Sequence, residues 1–182
     1  MKKLLILALV LCSYFLAEEK IAIDYLLVQK GAIAPEFSLY DSIKRKKYSV
    51  GENREKKLLL INFFATYCKP CKQEFPGFSK LYEKYGKSLQ ILAISVEKDN
   101  KKISDFAKEL NLNFPVFMDY TKASINQYIK PASTAALPTN ILVGKDGVIL
   151  EITTTLEEKT LEEWVIKYSG LKEQLKDQSK EK

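Results

Sequence analysis

The chain has 182 residues, enough for one globular domain with a short leader and too few for two ordinary domains. Hydrophobic residues make up 46% of the chain, which excludes wholesale disorder. The net charge is +6, but lysines and glutamates are intermixed along the chain, and no lysine-rich helix face indicates nucleic-acid binding. Histidine is absent, which excludes Ser-His and Cys-His catalysis and histidine-ligated metal sites.

The amino terminus carries a short apolar run. Lys2 and Lys3 precede it, and it extends from Leu4 to Ala17. It is shorter than the roughly 20 residues of a membrane-spanning helix and fits the hydrophobic region of a secretory signal, so we predict export. Cys12 lies in a Leu-Val-Leu-Cys stretch that resembles a lipoprotein signal. Lipidation at Cys12, cleavage of the leader and retention as a membrane anchor therefore all stay open.

The first elements after the leader are short strands. Residues 18–33 show no strong period and form a lead-in segment. The stretches PEFSLYD (35–41) and KKYSV (46–50) predict a hairpin, with the basic run KRKK (44–47) at its tip. The continuous apolar run LLLINFF (58–64) predicts a strand buried on both faces.

A helix is predicted directly after the sequence ATYCKPC. Its buried stripe, at helical spacing, consists of Phe75, Phe78, Leu81, Tyr82 and Tyr85. Gly86 is a natural end for this helix, and Pro76 inside it predicts a kink.

Strands and helices alternate in the second half of the chain. The predicted strands are 89–96 and 114–119, and the predicted helices are 101–111 and 122–129. A hairpin is predicted over 137–155. The last predicted helix is 160–170, and its buried stripe consists of Leu161, Trp164, Val165 and Tyr168. This alternation predicts an α/β fold with a mixed central sheet flanked by helices. We divide the chain into a signal peptide or anchor (1–17), the lead-in segment (18–33), one domain (34–170) and a charged tail (171–182).

Cys68 and Cys71 are the only cysteines besides Cys12. The junction of a buried strand with a helix places Cys68 at the helix N-terminus, where unpaired N–H groups and the macrodipole favour a thiolate. Pro70 falls in the first turn, where its missing N–H costs nothing. Cys71 lies one turn further in, close enough to form a disulfide. We predict that Cys68 is the nucleophile and Cys71 the resolving thiol of a disulfide-exchange reaction.

Other uses of a Cys-x-x-Cys pair fit less well. A structural zinc site needs four ligands, and the chain has neither a histidine nor a second pair of cysteines. Covalent haem attachment needs histidine after Cys71, where Lys72 stands. A purely structural disulfide stays open, although closing so small a loop stabilises little. We expect no metal and no cofactor other than the redox-active disulfide.

Five segments together resemble bacterial, membrane-associated thioredoxin-like thiol–disulfide oxidoreductases of the TlpA/ResA type. They are PEFSLYD, LLLINFFATYCKPCKQEFPGF, ILAISVE, FPVFMD and LPTNILVGKDGVI, and the resemblance covers about Ala34 to Ser169. It implies a thioredoxin-like fold with an N-terminal β-hairpin and a segment inserted before the third core strand. The segment KDNKKISDFAKELNLNF (98–114) would be that insertion.

The resemblance also implies roles for residues outside the cysteine motif. Pro138 matches the family's cis-proline, which packs opposite the cysteines and helps to seat the substrate, and Thr139 follows it in the same motif. Glu97 matches an acidic residue near the active site in part of the family. An ionised Glu97 would raise the pKa of Cys68 and could accept or donate the proton of Cys71. The alternative is that Glu97 is an ordinary surface glutamate at the end of a strand, without a role in the reaction.

The residues leave the direction of electron flow open. The resemblance implies a reductase, charged by a membrane thiol reductant, that keeps apocytochrome c or other exported thiols reduced. Tyr67 replaces the usual tryptophan before Cys68, and Lys69 follows it. The cation of Lys69 stabilises the Cys68 thiolate and therefore the reduced form of the cysteine pair, which makes the pair more oxidising. A protein that oxidises its partners is therefore the alternative to a reductase.

Three other classes of protein are compatible with parts of the same motif. A peroxiredoxin-like peroxidase normally has Thr or Ser where Ala65 stands. A copper-delivery protein on this fold needs more widely spaced cysteines and a histidine. A redox-inert binding module stays open, and a Cys68 thiol no more reactive than a free thiol would support it.

Overall fold

A computed structural model describes residues 25–41, 46–53, 56–130 and 137–170. The predictions for the leader, for Cys12 and for the charged tail lie outside these ranges, as do Lys44 and Arg45 of the predicted hairpin tip. Within the described ranges, no helix is long and apolar enough to cross a membrane.

The core of the molecule is a five-stranded mixed sheet. Its strands, in chain order, are β3 (Leu58–Phe64), β4 (Leu89–Ser95), β5 (Val116–Met118), β6 (Thr139–Val143) and β7 (Ile149–Thr153). Their spatial order is β5-β4-β3-β6-β7. Strands β3, β4 and β5 are parallel, whereas β6 and β7 run antiparallel to their neighbours. Every residue of β3 and β4 is buried, as expected for central strands covered on both faces. The predicted fold class is confirmed.

A separate hairpin precedes the sheet, as the resemblance implied. Strands β1 (Ser38–Asp41) and β2 (Lys46–Ser49) pair antiparallel. The predicted second strand ends one residue early because a short helix, α1 (Val50–Asn53), begins there. The hydroxyl of Ser49 accepts the backbone N–H of Glu52 at 3.1 Å, which caps this helix.

The described residues form four further helices, which are α2 (Lys69–Tyr85), α3 (Asn100–Glu109), α4 (Ile125–Tyr128) and α5 (Glu158–Tyr168). Helix α2 continues through Pro76 as one element and ends before Gly86. The inserted segment contains α3 and leads into the edge strand β5. In α5, Leu161 and Val165 are fully buried, while the two aromatic residues of the predicted stripe are half-buried.

Two hydrophobic cores cover the two faces of the sheet. One core contains buried residues of α2, α3 and α5, and Phe75 is at its centre. The Phe75 ring lies 5.1 Å from that of Phe64 and 5.7 Å from those of Phe106 and Phe114, at angles typical of edge-to-face packing. The other core lies under the hairpin, α4 and the lead-in segment. This dense aromatic packing against the sheet therefore holds α2, which carries the cysteines at its start, in position.

Candidate active site

The two cysteines lie at the start of α2. Strand β3 ends at Phe64, a short turn follows, and Cys68 caps α2 with an extended backbone. The backbone N–H of Cys71 donates a hydrogen bond to Cys68 Sγ at 3.2 Å. The two residues form a disulfide, with Cα atoms 5.3 Å apart. The sulfur of Cys68 thus occupies the position of a helix-capping acceptor, where a negative charge is stabilised.

The two cysteines differ in accessibility. Cys68 is 7% exposed, whereas Cys71 is completely buried. Tyr67 and Lys69, on either side of Cys68, both project into solvent, and Pro70 lies in the first turn of α2. A macromolecular partner can therefore approach Cys68 directly but reaches Cys71 only through it.

Pro138 lies at the same end of the sheet. It is buried, and the Leu137–Pro138 peptide bond is cis. The next residue, Thr139, begins β6 and pairs with Phe63 of β3, only five positions before Cys68. Its hydroxyl lies 3.2 Å from the hydroxyl of Tyr25. The contribution of Pro138 and Thr139 to substrate binding stays a prediction.

Glu97 is anchored to the turn that leads to Cys68. Its carboxylate accepts hydrogen bonds from the backbone N–H and the hydroxyl of Thr66, the latter at 3.0 Å, and from Lys102 Nζ at 2.8 Å. Partial burial raises the pKa of Glu97, but the hydrogen bonds from Lys102 and Thr66 outweigh it and hold the pKa below its ordinary value. An ionised Glu97 with these partners is suited to hold the turn in place.

The structure adds Glu74, which the sequence reasoning missed. Glu74 lies one turn beyond Cys71 on α2, and its carboxylate accepts the backbone N–H of Leu156 at 2.6 Å and the side-chain amide of Asn140 at 3.1 Å. Burial raises the pKa of Glu74 to about 7, despite the opposing effect of these hydrogen bonds. A carboxyl group that exchanges its proton near neutral pH therefore lies one helical turn from the resolving cysteine.

A buried amide pair connects Glu74 to the central strand. Asn62 in β3 donates from Nδ2 to Oδ1 of Asn140 in β6 at 2.8 Å. Both residues are completely buried, and Asn62 Oδ1 has no hydrogen-bond partner among the described residues. The sequence offered a signal for this pair, since Asn62 is the only polar residue in the run LLLINFF.

These features define a class of protein. A thioredoxin-like sheet with a Cys-x-x-Cys disulfide at a helix N-terminus and a cis-proline at the same end defines a thiol–disulfide exchange protein. Residues 30–152 match the AhpC/TSA family, and the chain belongs to that family.

Relatives in sequence include a thioredoxin-like protein and thiol–disulfide oxidoreductases. The chain is 36% identical over 140 residues to the thioredoxin-like protein YneN of Bacillus subtilis, covering 75% of this chain and 78% of the relative. It is 34% identical over 173 residues to the thiol-disulfide oxidoreductase ResA of Bacillus thuringiensis, covering 89% of this chain and 92% of ResA. The chain is therefore an enzyme of the thiol–disulfide oxidoreductase type.

Solved structures support the fold. The solution structure of a putative protein disulfide isomerase from Bacteroides thetaiotaomicron superimposes with a TM-score of 0.69 at 21% identity, covering 80% of this chain and 91% of that one. The crystal structure of StoA from Bacillus subtilis gives a TM-score of 0.60 at 22% identity, covering 73% and 98%. At these identities the similarity establishes the fold alone.

Proposed function

We propose that the chain is an exported reductase of protein disulfides, in which Cys68 attacks the partner and Cys71 resolves the intermediate. The observation that carries this proposal is the asymmetry of the pair, because Cys68 at the helix N-terminus keeps 7% of its surface exposed and Cys71 behind it is completely buried. An inert structural disulfide does not require its two cysteines to differ in exposure. An exchange reaction does, because the attacking thiol must meet the partner and the resolving thiol must not.

The reaction follows from this asymmetry. The Cys68 thiolate attacks one sulfur of a partner disulfide, the partner's S–S bond breaks, and a mixed disulfide forms as the second partner sulfur leaves as a thiolate. Cys71 then loses its proton and attacks Cys68 Sγ, which forms the Cys68–Cys71 disulfide and releases the first partner sulfur. The partner gains two electrons and the chain loses them, the proton of Cys71 passes to a neighbouring acceptor, and the two partner thiolates take up protons from solvent.

Neighbouring groups support these steps. The backbone N–H of Cys71 stabilises charge on Cys68 Sγ, as do the helix N-terminus and the adjacent cation of Lys69. Glu74 is the acceptor we assign to the proton of Cys71, because its pKa of about 7 lets it take up and release a proton at neutral pH. Glu97 keeps the turn before Cys68 in position through Thr66.

The partners follow from the resemblance to the TlpA/ResA type. The substrates are cysteines of exported proteins, apocytochrome c among them, and a membrane thiol reductant recharges the pair. The site lies outside the cytoplasm, with the chain attached to the membrane through its N-terminus or through Cys12. The ResA relatives, which are named thiol-disulfide oxidoreductases, support the exchange of disulfides with protein thiols.

An oxidising function is the second candidate, and Lys69 is the observation that favours it. Its exposed cation beside Cys68 stabilises the thiolate and therefore the reduced pair. Equilibration of the chain with defined thiol–disulfide buffers measures the reduction potential and decides between the two. A potential near that of thioredoxin, about −270 mV, supports the reductase, and one near about −120 mV supports the oxidant.

A further inference from the structure

Helix α3 of the inserted segment begins with two lysines. The carboxylate of Asp99 caps this helix and accepts the backbone N–H of Lys102 at 3.0 Å. Lys101 and Lys102 therefore both lie in its first turn, where the positive end of the helix macrodipole makes a cation unfavourable. Because this placement reduces the stability of α3, it indicates that at least one of the two lysines has a role outside its own helix.

The two lysines differ in their partners. Lys101 Nζ lies 2.6 Å from the carboxylate of Asp105, one turn further along α3, and this pair stays within its helix. Lys102 Nζ instead donates a hydrogen bond to the carboxylate of Glu97, in the loop after β4, at 2.8 Å. It also lies 5.7 Å from the ring centroid of Tyr67, within the range of a cation–π contact. Lys102 therefore connects α3 to the turn that carries the nucleophile.

Glu97 is fixed both to the sheet and to the turn before Cys68. Its backbone N–H donates to Ser95 Oγ at 3.1 Å, and Ser95 is completely buried at the end of β4. Its carboxylate accepts the backbone N–H and the hydroxyl of Thr66. Thr66 belongs to the turn that the backbone N–H of Cys68 closes by a hydrogen bond to the carbonyl of Ala65 at 3.1 Å. The position of Glu97 therefore acts directly on the turn that presents Cys68.

The charge of Glu97 opposes the reaction at Cys68. An ionised carboxylate near the sulfur disfavours the thiolate, and Glu97 is ionised at neutral pH because its pKa is below the ordinary value. The hydrogen bond to Glu97 raises the pKa of Lys102, so the lysine is charged as well and offsets the carboxylate. Other charged groups on neighbouring elements are Lys69, Lys72 and Glu74 on α2, and Lys98 and Asp99 before α3. Because these groups are the same in all variants of Lys102, their effects on the thiol cancel when those variants are compared.

We propose that Lys102 is a positioning residue for the nucleophile: its cation offsets the charge of Glu97 and holds in place the turn that presents Cys68. The inserted segment thereby sets the reactivity of the cysteine pair. This inference rests on the proposed thiol–disulfide exchange, since it concerns the attacking thiol of that reaction. Lys102 exchanges neither a proton nor an electron with the partner, and it acts on the thiol through Glu97 and Thr66.

The test measures the rate at which iodoacetamide alkylates Cys68 as a function of pH, in the full chain after complete reduction. Only the thiolate reacts, and fragmentation of the labelled peptides in mass spectrometry distinguishes Cys68 from Cys12 and Cys71. Lys102→Met leaves the charge of Glu97 without its cation, so we expect the midpoint of the profile to rise by about half a pH unit. At a pH below the midpoint, this shift makes alkylation about threefold slower.

Three further variants show whether the effect depends on the charge at this position. Lys102→Gln removes the charge but keeps a polar side chain, and it should give the same rise as Lys102→Met. Lys102→Arg keeps the cation beside Glu97, and it should retain the native midpoint. Lys101→Met is the matched control, because it removes a cation from the same turn of α3 whose partner is Asp105. We expect it to move the midpoint by less than about 0.2 pH unit, since solvent screens an exposed charge.

A double variant tests whether Lys102 acts through Glu97. In a Glu97→Gln chain the ion pair is already lost, and Lys102 becomes an exposed charge that solvent screens. Lys102→Met should then move the midpoint by less than about half of its shift in the native chain. An equal shift in both chains would overturn the inference, because Lys102 would then act on the thiol without Glu97.

The outcomes separate this inference from the proposed function. Equal thermal unfolding midpoints verify that the reduced variants are folded. An unchanged profile in Lys102→Met and Lys102→Gln overturns the inference, as does a raised midpoint in Lys102→Arg. In each of these cases, a native Cys68 that titrates below free cysteine and reduces a protein disulfide still supports thiol–disulfide exchange. A native Cys68 no more reactive than free cysteine contradicts the proposed function itself.

Discussion

At the scale of single residues, the difference between the two cysteines makes opposite predictions for their serine variants. Cys71→Ser leaves Cys68 able to attack but removes the resolving thiol, so mixed disulfides with partner proteins accumulate. Cys68→Ser leaves only the buried Cys71, so turnover is lost and no mixed disulfides form. Mass spectrometry of non-reduced complexes measures both results. Accumulation in neither variant would contradict the assigned roles.

Glu74 predicts how stability depends on pH. Its pKa is about 7 in the folded protein against an ordinary value of 4.5, so between these pH values the unfolded chain has released a proton that the folded chain still holds. The free energy of unfolding therefore falls as pH rises from 4.5 to 7. Glu74→Gln keeps an oxygen for the N–H of Leu156 and removes this fall, which stabilises the protein at pH 8 by roughly 1–2 kcal/mol after allowance for solvent screening.

Urea unfolding at pH 5 and pH 8 measures this effect. Glu163→Gln is the matched control, because Glu163 is exposed on α5 and the same change of charge there should leave the pH profile unchanged. Parallel profiles for the native chain and Glu74→Gln would show that Glu74 does not titrate near neutrality.

Lys69 sets a charge beside the nucleophile. Lys69→Glu replaces an exposed cation next to Cys68 with an anion, which destabilises the thiolate and so the reduced form. We expect the reduction potential to fall by about 30 mV, equivalent to about 1.4 kcal/mol for two electrons. Equilibration with thiol–disulfide buffers measures it, with Lys87→Glu as a distant control. A rise in potential would mean that local charge does not control the pair.

At the scale of secondary structure elements, α2 is positioned by its close contact with α5. A Cβ atom added at Gly77 would lie 2.8 Å from Cβ of Glu158, so glycine allows the two helices to approach here. Ion pairs join Lys80 to Glu158 at 3.1 Å and Lys84 to Glu162 at 2.8 Å along the same contact. The position of α2 thus depends on the absence of a side chain at Gly77 as well as on the aromatic residues of its buried face.

Gly77→Ala is expected to push α2 and α5 apart. Alanine favours a helix more than glycine by about 1 kcal/mol, but the contact with Glu158 costs more, and we expect a net loss of roughly 1–3 kcal/mol in the free energy of unfolding. Gln73→Ala, at an exposed position of the same helix, controls for helix propensity. Urea denaturation compares the two, and a stabilised Gly77→Ala variant would refute the close contact.

Elements that follow a strong local pattern were predictable from the sequence. The run LLLINFF predicted β3 at its full extent, and the apolar spacing after Cys71 predicted α2 up to Gly86. Helix α1 was missed although Ser49 and Glu52 have the spacing of a capping box, because the neighbouring residues favour a strand.

The polar part of the site depends on contacts that local patterns do not encode. Asn140 meets Asn62 only because β6 pairs antiparallel with β3 in one register, which places the two residues opposite each other. Glu74 meets the N–H of Leu156 only because the chain returns past α2 after β7. The cysteines were predictable because their chemistry follows from spacing alone, whereas the proton affinity of Glu74 follows from tertiary burial.

At the scale of the whole molecule, residues 25–33, the described part of the lead-in segment, belong to the packed domain. From Tyr25 they run along one face of the sheet to the hairpin between β6 and β7. Its backbone bonds are Lys130 N–H to the carbonyl of Tyr25, Leu27 N–H to Tyr128, Gly31 N–H to Ile149 and Ile149 N–H to Ala32, each at 2.8 Å. Val28 is buried in the core beneath the hairpin. Residues 25–33 therefore link the end of the sheet that holds Cys68 and Pro138 to the opposite end.

This packing predicts where the chain can be shortened. A chain that begins at Asp24 keeps every one of these contacts and should match the full chain in free energy of unfolding within about 0.5 kcal/mol. A chain that begins at Ala34, our predicted domain boundary, loses four backbone hydrogen bonds and the burial of Val28. We expect it to lose roughly 3–5 kcal/mol, since each bond contributes about 1 kcal/mol and a buried valine at least as much. Deletion of residues 171–182 serves as the control, because it removes a segment similar in length to residues 24–33. Equal urea midpoints for all three shortened chains would mean that residues 25–33 contribute no stability, and the domain would then begin at Ala34 as the sequence predicted.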